Sequence, residues 1–173
     1  MITLIAAFFG WFVSASDAQA LQRTAPEPIT FEFAVENLAA ARVAGAAFRV
    51  DPDLLLAVAA HESRYAASAV TQEPHGLVSC GVMTPEPVAS CKPQTVLDGY
   101  LAGAKHLRAW MDAKRDLEQA LIGYAGGYAL ISACAAGPVL RKTGRHDDLC
   151  SIGKVFLWRR DWIRRERRRV LIA

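Results

Sequence analysis

The sequence predicts a mostly α-helical single domain whose helices are interrupted by two cysteine-bracketed loops. The 173 residues are 53% apolar and 21% charged, a composition typical of one globular domain. Apolar residues recur at helical spacing in five segments, and no segment shows sustained strand alternation. The four cysteines bracket two short stretches of chain, one from Cys80 to Cys91 and one from Cys134 to Cys150.

Residues 1–20 are predicted to be a secretory signal. An almost unbroken apolar run from Leu4 to Val13 precedes a small-residue A-x-A cleavage pattern that ends at Ala20. The alternative is an uncleaved N-terminal anchor. Residues 21–29 then form a linker, and we expect a periplasmic or secreted protein after cleavage near Ala20. Export disfavours nucleic acid as a partner.

The cysteines of an exported chain are predicted to form disulfides, because such a chain meets oxidising conditions. Four cysteines allow three pairings. The sequential pairing, Cys80 with Cys91 and Cys134 with Cys150, closes two short loops. A metal site is the weaker interpretation, because no cysteine or histidine cluster has ligand spacing. We therefore expect no metal and no cofactor.

The helices are predicted from apolar spacing and from capping residues. The first begins at Thr30 and runs to about Phe48. Asp51 is a capping side chain followed by proline, so a second helix is predicted from Pro52 to about Tyr65. Three more helices are predicted over about 96–111, 117–128 and 151–170. The segment 72–93 is predicted to be a loop or short helical turns, and 135–149 a polar loop.

The second helix carries the residues with the clearest chemical potential. Helical spacing places on one face Leu54, Ala57, Val58, His61, Glu62 and Tyr65. Desolvation raises the pKa of a carboxyl group, and the negative end of a helix dipole acts in the same direction, as a general acid requires. Spacing alone nevertheless favours a paired or solvated Glu62 and a satisfied core histidine at His61.

Several short motifs follow one another between residues 36 and 158. They are VDPDLLLAV at 50–58, HESRY at 61–65, AVT at 69–71, SCGVMT at 79–84, GAKHLR at 103–108, ALIGYAGG at 120–127 and IGKV at 152–155. In this order they resemble the soluble lytic transglycosylase domain family. That family has a goose-type lysozyme-like α fold and cleaves peptidoglycan, so the resemblance implies a lysozyme-like domain over residues 30–158.

The resemblance implies roles for individual residues. Glu62 matches the catalytic acid and base, and Ser63 matches the serine that assists it in the sugar pocket. Met83 matches the methionine that lines the cleft. Tyr124 matches the tyrosine on the catalytic side, whose hydroxyl could bond the carboxyl group or the substrate. Thr84 occupies the position of a substrate-contacting glutamine.

The chain departs from the family pattern at two site positions. Thr84 replaces the glutamine, and Ala125 replaces the asparagine that follows the tyrosine. A competing alignment places the glycine motif at Gly76 instead of Gly81, but the Gly81 alignment also fits Met83. These changes affect predicted substrate contacts more than the predicted fold.

The implied reaction is cleavage of the MurNAc-GlcNAc β-1,4 bond with formation of a 1,6-anhydro-MurNAc end. This chemistry needs one acid, and no second acid stands at a motif position. Glu73 and Glu86 are candidates by proximity, or are solvated surface charges. The alternatives are a hydrolytic lysozyme on the same fold and a non-catalytic wall-binding or assembly protein. The expected partners are peptidoglycan strands and, by analogy, an envelope-spanning secretion or conjugation machinery.

The C-terminal region is strongly basic. Residues 154–169 contain eight basic and two acidic side chains, a net charge of +6, interleaved with Phe156, Trp158 and Trp162. We predict a basic helical tail over residues 159–173. It is either a solvated helix whose aromatic residues pack on the domain, or a surface attracted to anionic partners.

Overall fold

A computed structural model describes residues 13–72, 76–84, 88–92, 94–139 and 148–172. The helices within these residues are α1 (Ala15–Thr24), α2 (Phe31–Phe48), α3 (Pro52–Glu62), α4 (Val96–Ala113), α5 (Leu117–Ala136) and α6 (Ile152–Ile172). A short antiparallel hairpin lies between α3 and α4 and pairs β1 (Val70–Gln72) with β2 (Val78–Cys80). A 3₁₀ turn, Leu149–Ser151, precedes α6. The prediction of a mostly helical fold is confirmed.

The helix starts follow the capping residues that the sequence offers. The Thr30 side chain accepts a hydrogen bond from the amide of Phe33, and Asp51 caps α3 with Pro52 at its first position. The predicted end of this helix at Tyr65 is wrong. Helix α3 ends at Glu62, because Arg64 and Tyr65 adopt left-handed backbone conformations with φ of 55° and 72°.

Helix α3 occupies the centre of the core. Its residues from Leu54 to Ala60 are each exposed by 2% or less, and α2, α4 and α6 pack around it. A helix that is buried on every side must be apolar on every side, as this stretch is. The polar end of α3, beyond Ala60, is therefore where the chain leaves the core.

Helix α1 crosses the bond at which signal cleavage is predicted. Ala18, Ala20 and Leu21 are fully buried. Asp17 forms ion pairs with Arg42 of α2 and with Arg167 of α6. Cleavage after Ala20 would divide this packed helix. The first turns of the fold thus include part of the predicted signal, and residues 21–24 of the predicted linker are helical.

The hairpin is a feature that the sequence did not predict. Its register pairs Val70 with Cys80 and Gln72 with Val78, and each strand has three residues. Strands of this length show no readable alternation, so β2 lies in a segment that was predicted to be a loop or short helical turns. The disulfide between Cys80 and Cys91 closes the loop that follows.

Helix α5 is longer than predicted and is bent. It continues to Ala136 rather than to about residue 128, and Gly127 interrupts it with φ of 65° and ψ of −166°. The disulfide between Cys134 and Cys150 joins its end to the 3₁₀ turn, so the sequential pairing is confirmed. Of the described helices, α5 alone could span a membrane by length and apolar composition, but its residues 120–124 lie in the core.

The predicted basic tail is part of the continuous helix α6. Phe156 and Ile163 are fully buried, whereas Trp158 is 55% exposed, so only some of its apolar side chains pack on the domain. Arg164 donates to Asp51 at 2.7 Å, and Arg167 donates to Asp53 at 2.8 Å. These arginines bind the start of α3 and are not free for a partner.

Candidate active site

Glu62 lies at the C-terminal end of α3, where the buried helix reaches the surface. Both His61 and Glu62 are half-buried, and directly afterwards the chain turns back so that Tyr65 is fully buried. The ring of His61 meets Phe156 of α6 edge-on, with centroids 5.3 Å apart. A rigid, centrally packed helix therefore positions the candidate acid.

Ser63 links the end of α3 to the loop formed by residues 81–84. Its Oγ lies 2.5 Å from the carbonyl oxygen of Val82 and 3.1 Å from that of Ala59. Val82 is fully buried. The serine hydroxyl thus fixes the loop beside Glu62, while its predicted part in a sugar pocket stays a prediction.

Met83 anchors the same loop in the core. Its side chain is fully buried, and it packs against α4 at Gly103, where a Cβ atom would lie 2.5 Å from both Cβ and Sδ of the methionine. A larger residue at Gly103 would displace Met83 and the loop with it. Met83 therefore positions the loop from beneath, whereas the resemblance implied that it lines the cleft.

Thr84 makes the contact that joins the loop to the acid. Its Oγ1 donates a hydrogen bond to Oε2 of Glu62 at 3.1 Å. The residue has a φ of 40°, in the left-handed region that a threonine seldom adopts. A hydroxyl bonded to a carboxylate stabilises its ionised form and fixes its orientation. The threonine thus contacts the acid from the position that the resemblance assigns to a glutamine.

Tyr124 of α5 secures the loop from the opposite side. Its hydroxyl donates to the carbonyl oxygen of Met83 at 2.6 Å, and the residue is 7% exposed. Burial, and then the negative charge of Glu62, hold the pKa of the Tyr124 phenol well above its ordinary value. The phenol therefore stays protonated and remains a donor to Met83.

A cavity of about 190 Å³ adjoins Glu62. It lies between the end of α3, the bend of α5 and the start of α6, and its walls are formed by His61, Glu62, Ala125, Gly126, Leu130, Leu149 and Ile152. Ala125 presents only a methyl group there. The disulfide between Cys134 and Cys150 holds the two walls that contain Leu130 and Leu149. Glu62 is the one carboxylate among these lining residues.

A row of aromatic side chains leads from Tyr124 to the surface. The His106 ring lies 5.2 Å from that of Tyr124, and His106 Nε2 accepts a hydrogen bond from Trp110 at 3.1 Å. Trp110 packs against Tyr128, with centroids 4.8 Å apart, and Tyr128 is 62% exposed. The Lys114 ammonium lies 4.8 Å from the Tyr128 centroid. An exposed aromatic ring thus follows the α5 bend.

The sequence analysis named Glu62 and Ala125 of this cavity but not its larger apolar side chains. Leu130 and Leu149 were missed, because the bend at Gly127 and the second disulfide bring them to the cavity. The GG pair at 126–127 was the available signal for that bend. The candidate acids Glu73 and Glu86 lie outside the described residues. Within the described residues, no group of three or more His, Cys, Asp or Glu side chains could hold a metal ion.

Replacing Tyr124 by phenylalanine is expected to lower the free energy of unfolding by about 1–2 kcal/mol, because the Met83 carbonyl loses its donor. Urea denaturation measures the change. Tyr128→Phe is the matched control, since its exposed hydroxyl group should contribute less than about 0.5 kcal/mol. Equal stability of the two variants would show that the bond to Met83 does not hold the loop.

Comparison of the chain with protein-family models, curated proteins and solved structures finds no match. The functional assignment therefore rests on the residues and contacts of this chain.

Proposed function

We propose that the protein is an exported peptidoglycan lytic transglycosylase in which Glu62 is the single catalytic acid and base. The observation that carries this proposal is the hydrogen bond from Thr84 to Glu62 at the edge of the cavity. This bond joins the HESRY motif at 61–65 to the SCGVMT motif at 79–84, through two residues that are 22 positions apart in sequence. Further bonds, from Ser63 to Val82 and from Tyr124 to Met83, link the same two motifs and a third.

The surroundings of Glu62 suit a group that gives and then takes a proton. Its position at the carbonyl end of α3 favours the neutral carboxyl group, because the helix dipole is negative there. The hydroxyl of Thr84 favours the carboxylate. The proposed reaction uses both forms, the neutral carboxyl group as the acid and the carboxylate as the base.

In the proposed reaction, Glu62 donates its proton to the glycosidic oxygen as the bond from C1 of MurNAc to that oxygen breaks. The N-acetyl group of MurNAc supports the positive charge at C1. The Glu62 carboxylate then removes the proton from the C6 hydroxyl as its oxygen bonds to C1. One proton passes from O6 to the leaving oxygen, no water is consumed, and GlcNAc leaves with a free hydroxyl group.

The described lining of the cavity supports a reaction that needs one acid. Ordinary glycosidases use two carboxylates, one as acid and the other as base or nucleophile. Within the described residues, Glu62 is the one carboxylate that lines the cavity. A lysozyme on the same fold would need a second base to activate water, and a non-catalytic wall-binding protein would need neither proton donor nor base.

The proposed location is the periplasm or the exterior of the cell. Both disulfides are compatible with an oxidising, exported location. Peptidoglycan is the proposed substrate, and we propose that the enzyme opens the wall for an envelope-spanning secretion or conjugation machinery. Signal cleavage near Ala20 stays a prediction, since it would cut through the packed helix α1.

Mass spectrometry of the fragments released from purified peptidoglycan tests the proposed reaction. We expect anhydro-muramic ends, which are one water lighter than reducing ends, from the wild-type protein and none from Glu62→Gln prepared in the same way. Reducing ends would indicate hydrolysis. Wall binding without fragments would identify a binding or assembly protein instead.

A further inference from the structure

One side of α6 combines positive charge with two tryptophans, of which Trp158 is exposed and Trp162 half-buried. Spacings of three and four residues place on this side Lys154, Trp158, Trp162, Arg165, Arg168 and Arg169, which we call the basic face. The opposite side carries Phe156 and Ile163, which are fully buried. Helix α6 thus packs on the domain through one side and presents the basic face to the surroundings.

The arginines of α6 divide into two groups. Arg164 and Arg167 bind the aspartates at the start of α3. By contrast, Arg165 and Arg168 are exposed, and within the described part of the chain neither forms an ion pair. The side chains of Lys154 and Arg169 are each 73% exposed, although each has an acidic neighbour. The basic face therefore retains positive charge that the fold itself does not neutralise.

Exposed apolar side chains accompany this charge. Trp158 is 55% exposed and lies against Trp162, with ring centroids 5.4 Å apart. At the end of the helix, Leu171 and Ile172 are 67% and 88% exposed. Tryptophan beside arginine on an exposed helix is typical of helices that lie at a membrane interface, where the ring enters the headgroup region and the cation meets phosphate.

The N-terminal part of the fold lies at the same end of α6. Asp17 pairs with Arg167, so Val13, four residues earlier, begins the described chain near the C-terminal half of α6. The sequence before Val13 is apolar from Leu4 onward. The described chain therefore begins near the end of the domain that carries the basic face.

We propose that the basic face of α6, together with Leu171 and Ile172, docks on a membrane surface that contains anionic phospholipids. The arginines meet lipid phosphates, and the tryptophans and the terminal apolar residues enter the interface. A hydrated acidic glycan could match the charge but offers no apolar phase for Ile172. This proposal is independent of catalysis, since no residue of the face lines the cavity.

Vesicle binding by the full chain tests the charge requirement. The vesicles contain phosphatidylglycerol in phosphatidylcholine, with pure phosphatidylcholine as the neutral comparison. Each cation near an anionic leaflet contributes about fivefold to partitioning, so Arg165→Gln/Arg168→Gln should bind about twenty-five-fold more weakly. Lys105→Gln/Arg115→Gln removes equal charge from exposed positions outside the face and should change binding less than about threefold.

Quenching of tryptophan fluorescence by brominated lipids tests directly whether the tryptophans of α6 contact the membrane. This test is valid even if the N-terminal apolar sequence makes the chain bind every vesicle. In a Trp11→Phe background, we expect brominated acyl chains to quench the tryptophan emission. Trp158→Phe/Trp162→Phe should abolish most of that quenching, and Trp110→Phe should not. Quenching that is unchanged by the first pair, or binding to wall sacculi without contact to vesicles, would overturn the proposal.

Discussion

Replacing Glu62 by glutamine is expected to lower the rate of peptidoglycan cleavage by about a thousandfold or more. General acid and base catalysis contribute about 10²–10⁴-fold, and the proposed reaction assigns both roles to Glu62. Glutamine keeps the shape of the side chain, and its carbonyl oxygen can still accept the hydrogen bond from Thr84. It has no proton of suitable acidity to give to the glycosidic oxygen. The variant should therefore fold and bind the wall but not cleave it.

The rate of release of soluble fragments from purified peptidoglycan measures this effect. Glu36→Gln is the matched control, because Glu36 is an exposed acid on α2 and its replacement should leave the rate within about twofold. Circular dichroism establishes that both variants are folded. A Glu62→Gln protein with more than a tenth of the wild-type rate would show that another group supplies the proton.

Local signals in the sequence account for most of the helices. Thr30 and Asp51 cap the helices that they were predicted to begin, because a cap is a contact between residues three or fewer apart. The sequential disulfides likewise close short loops. The end of α3 was misplaced, since the left-handed turn at Arg64 and Tyr65 depends on the burial of Tyr65 and not on local preference.

The parts of the site that were missed depend on distant contacts. Leu130 and Leu149 reach the cavity through the bend at Gly127 and a disulfide, and neither has a chemical group that distinguishes it in sequence. The basic residues between 154 and 169 are alike in sequence but differ in their surroundings. Only the packing of α6 on α3 separates Arg167, which binds Asp53, from Arg168, which faces outward.

Helix α1 is expected to contribute strongly to the stability of the domain. A chain that begins at Leu21 is expected to unfold with a free energy about 4 kcal/mol lower than a chain that begins at Val13. Loss of Asp17 leaves the partly buried Arg42 and Arg167 without this carboxylate, which costs about 2 kcal/mol. Loss of α1 also exposes the side chain of Leu21, which costs about another 2 kcal/mol. A domain of this size is stable by about 5–15 kcal/mol, so the shorter chain would be only marginally folded.

Urea denaturation of the two chains measures the difference, and an Asp17→Asn variant of the longer chain isolates the ionic part. Burial raises the pKa of Asp17. Hydrogen bonds from Arg42 and Ser14 and the charge of Arg167 lower it by more, so the pKa of this carboxyl group lies below its ordinary value. The ionic stabilisation is therefore present at neutral pH and is lost as the pH falls through the lowered pKa of the folded state. The Asp17→Asn variant should lack this loss on acidification.

The outcome also bears on the predicted signal cleavage near Ala20. If α1 is needed for stability, the N-terminus of the exported protein should lie at or before Ser14, which caps α1 through its side chain. Equal stability of the two chains, with an exported protein that begins at Leu21, would contradict this. It would mean that the contacts of Asp17 with Arg42 and Arg167 are dispensable, and that the folded domain begins within the segment predicted as a linker.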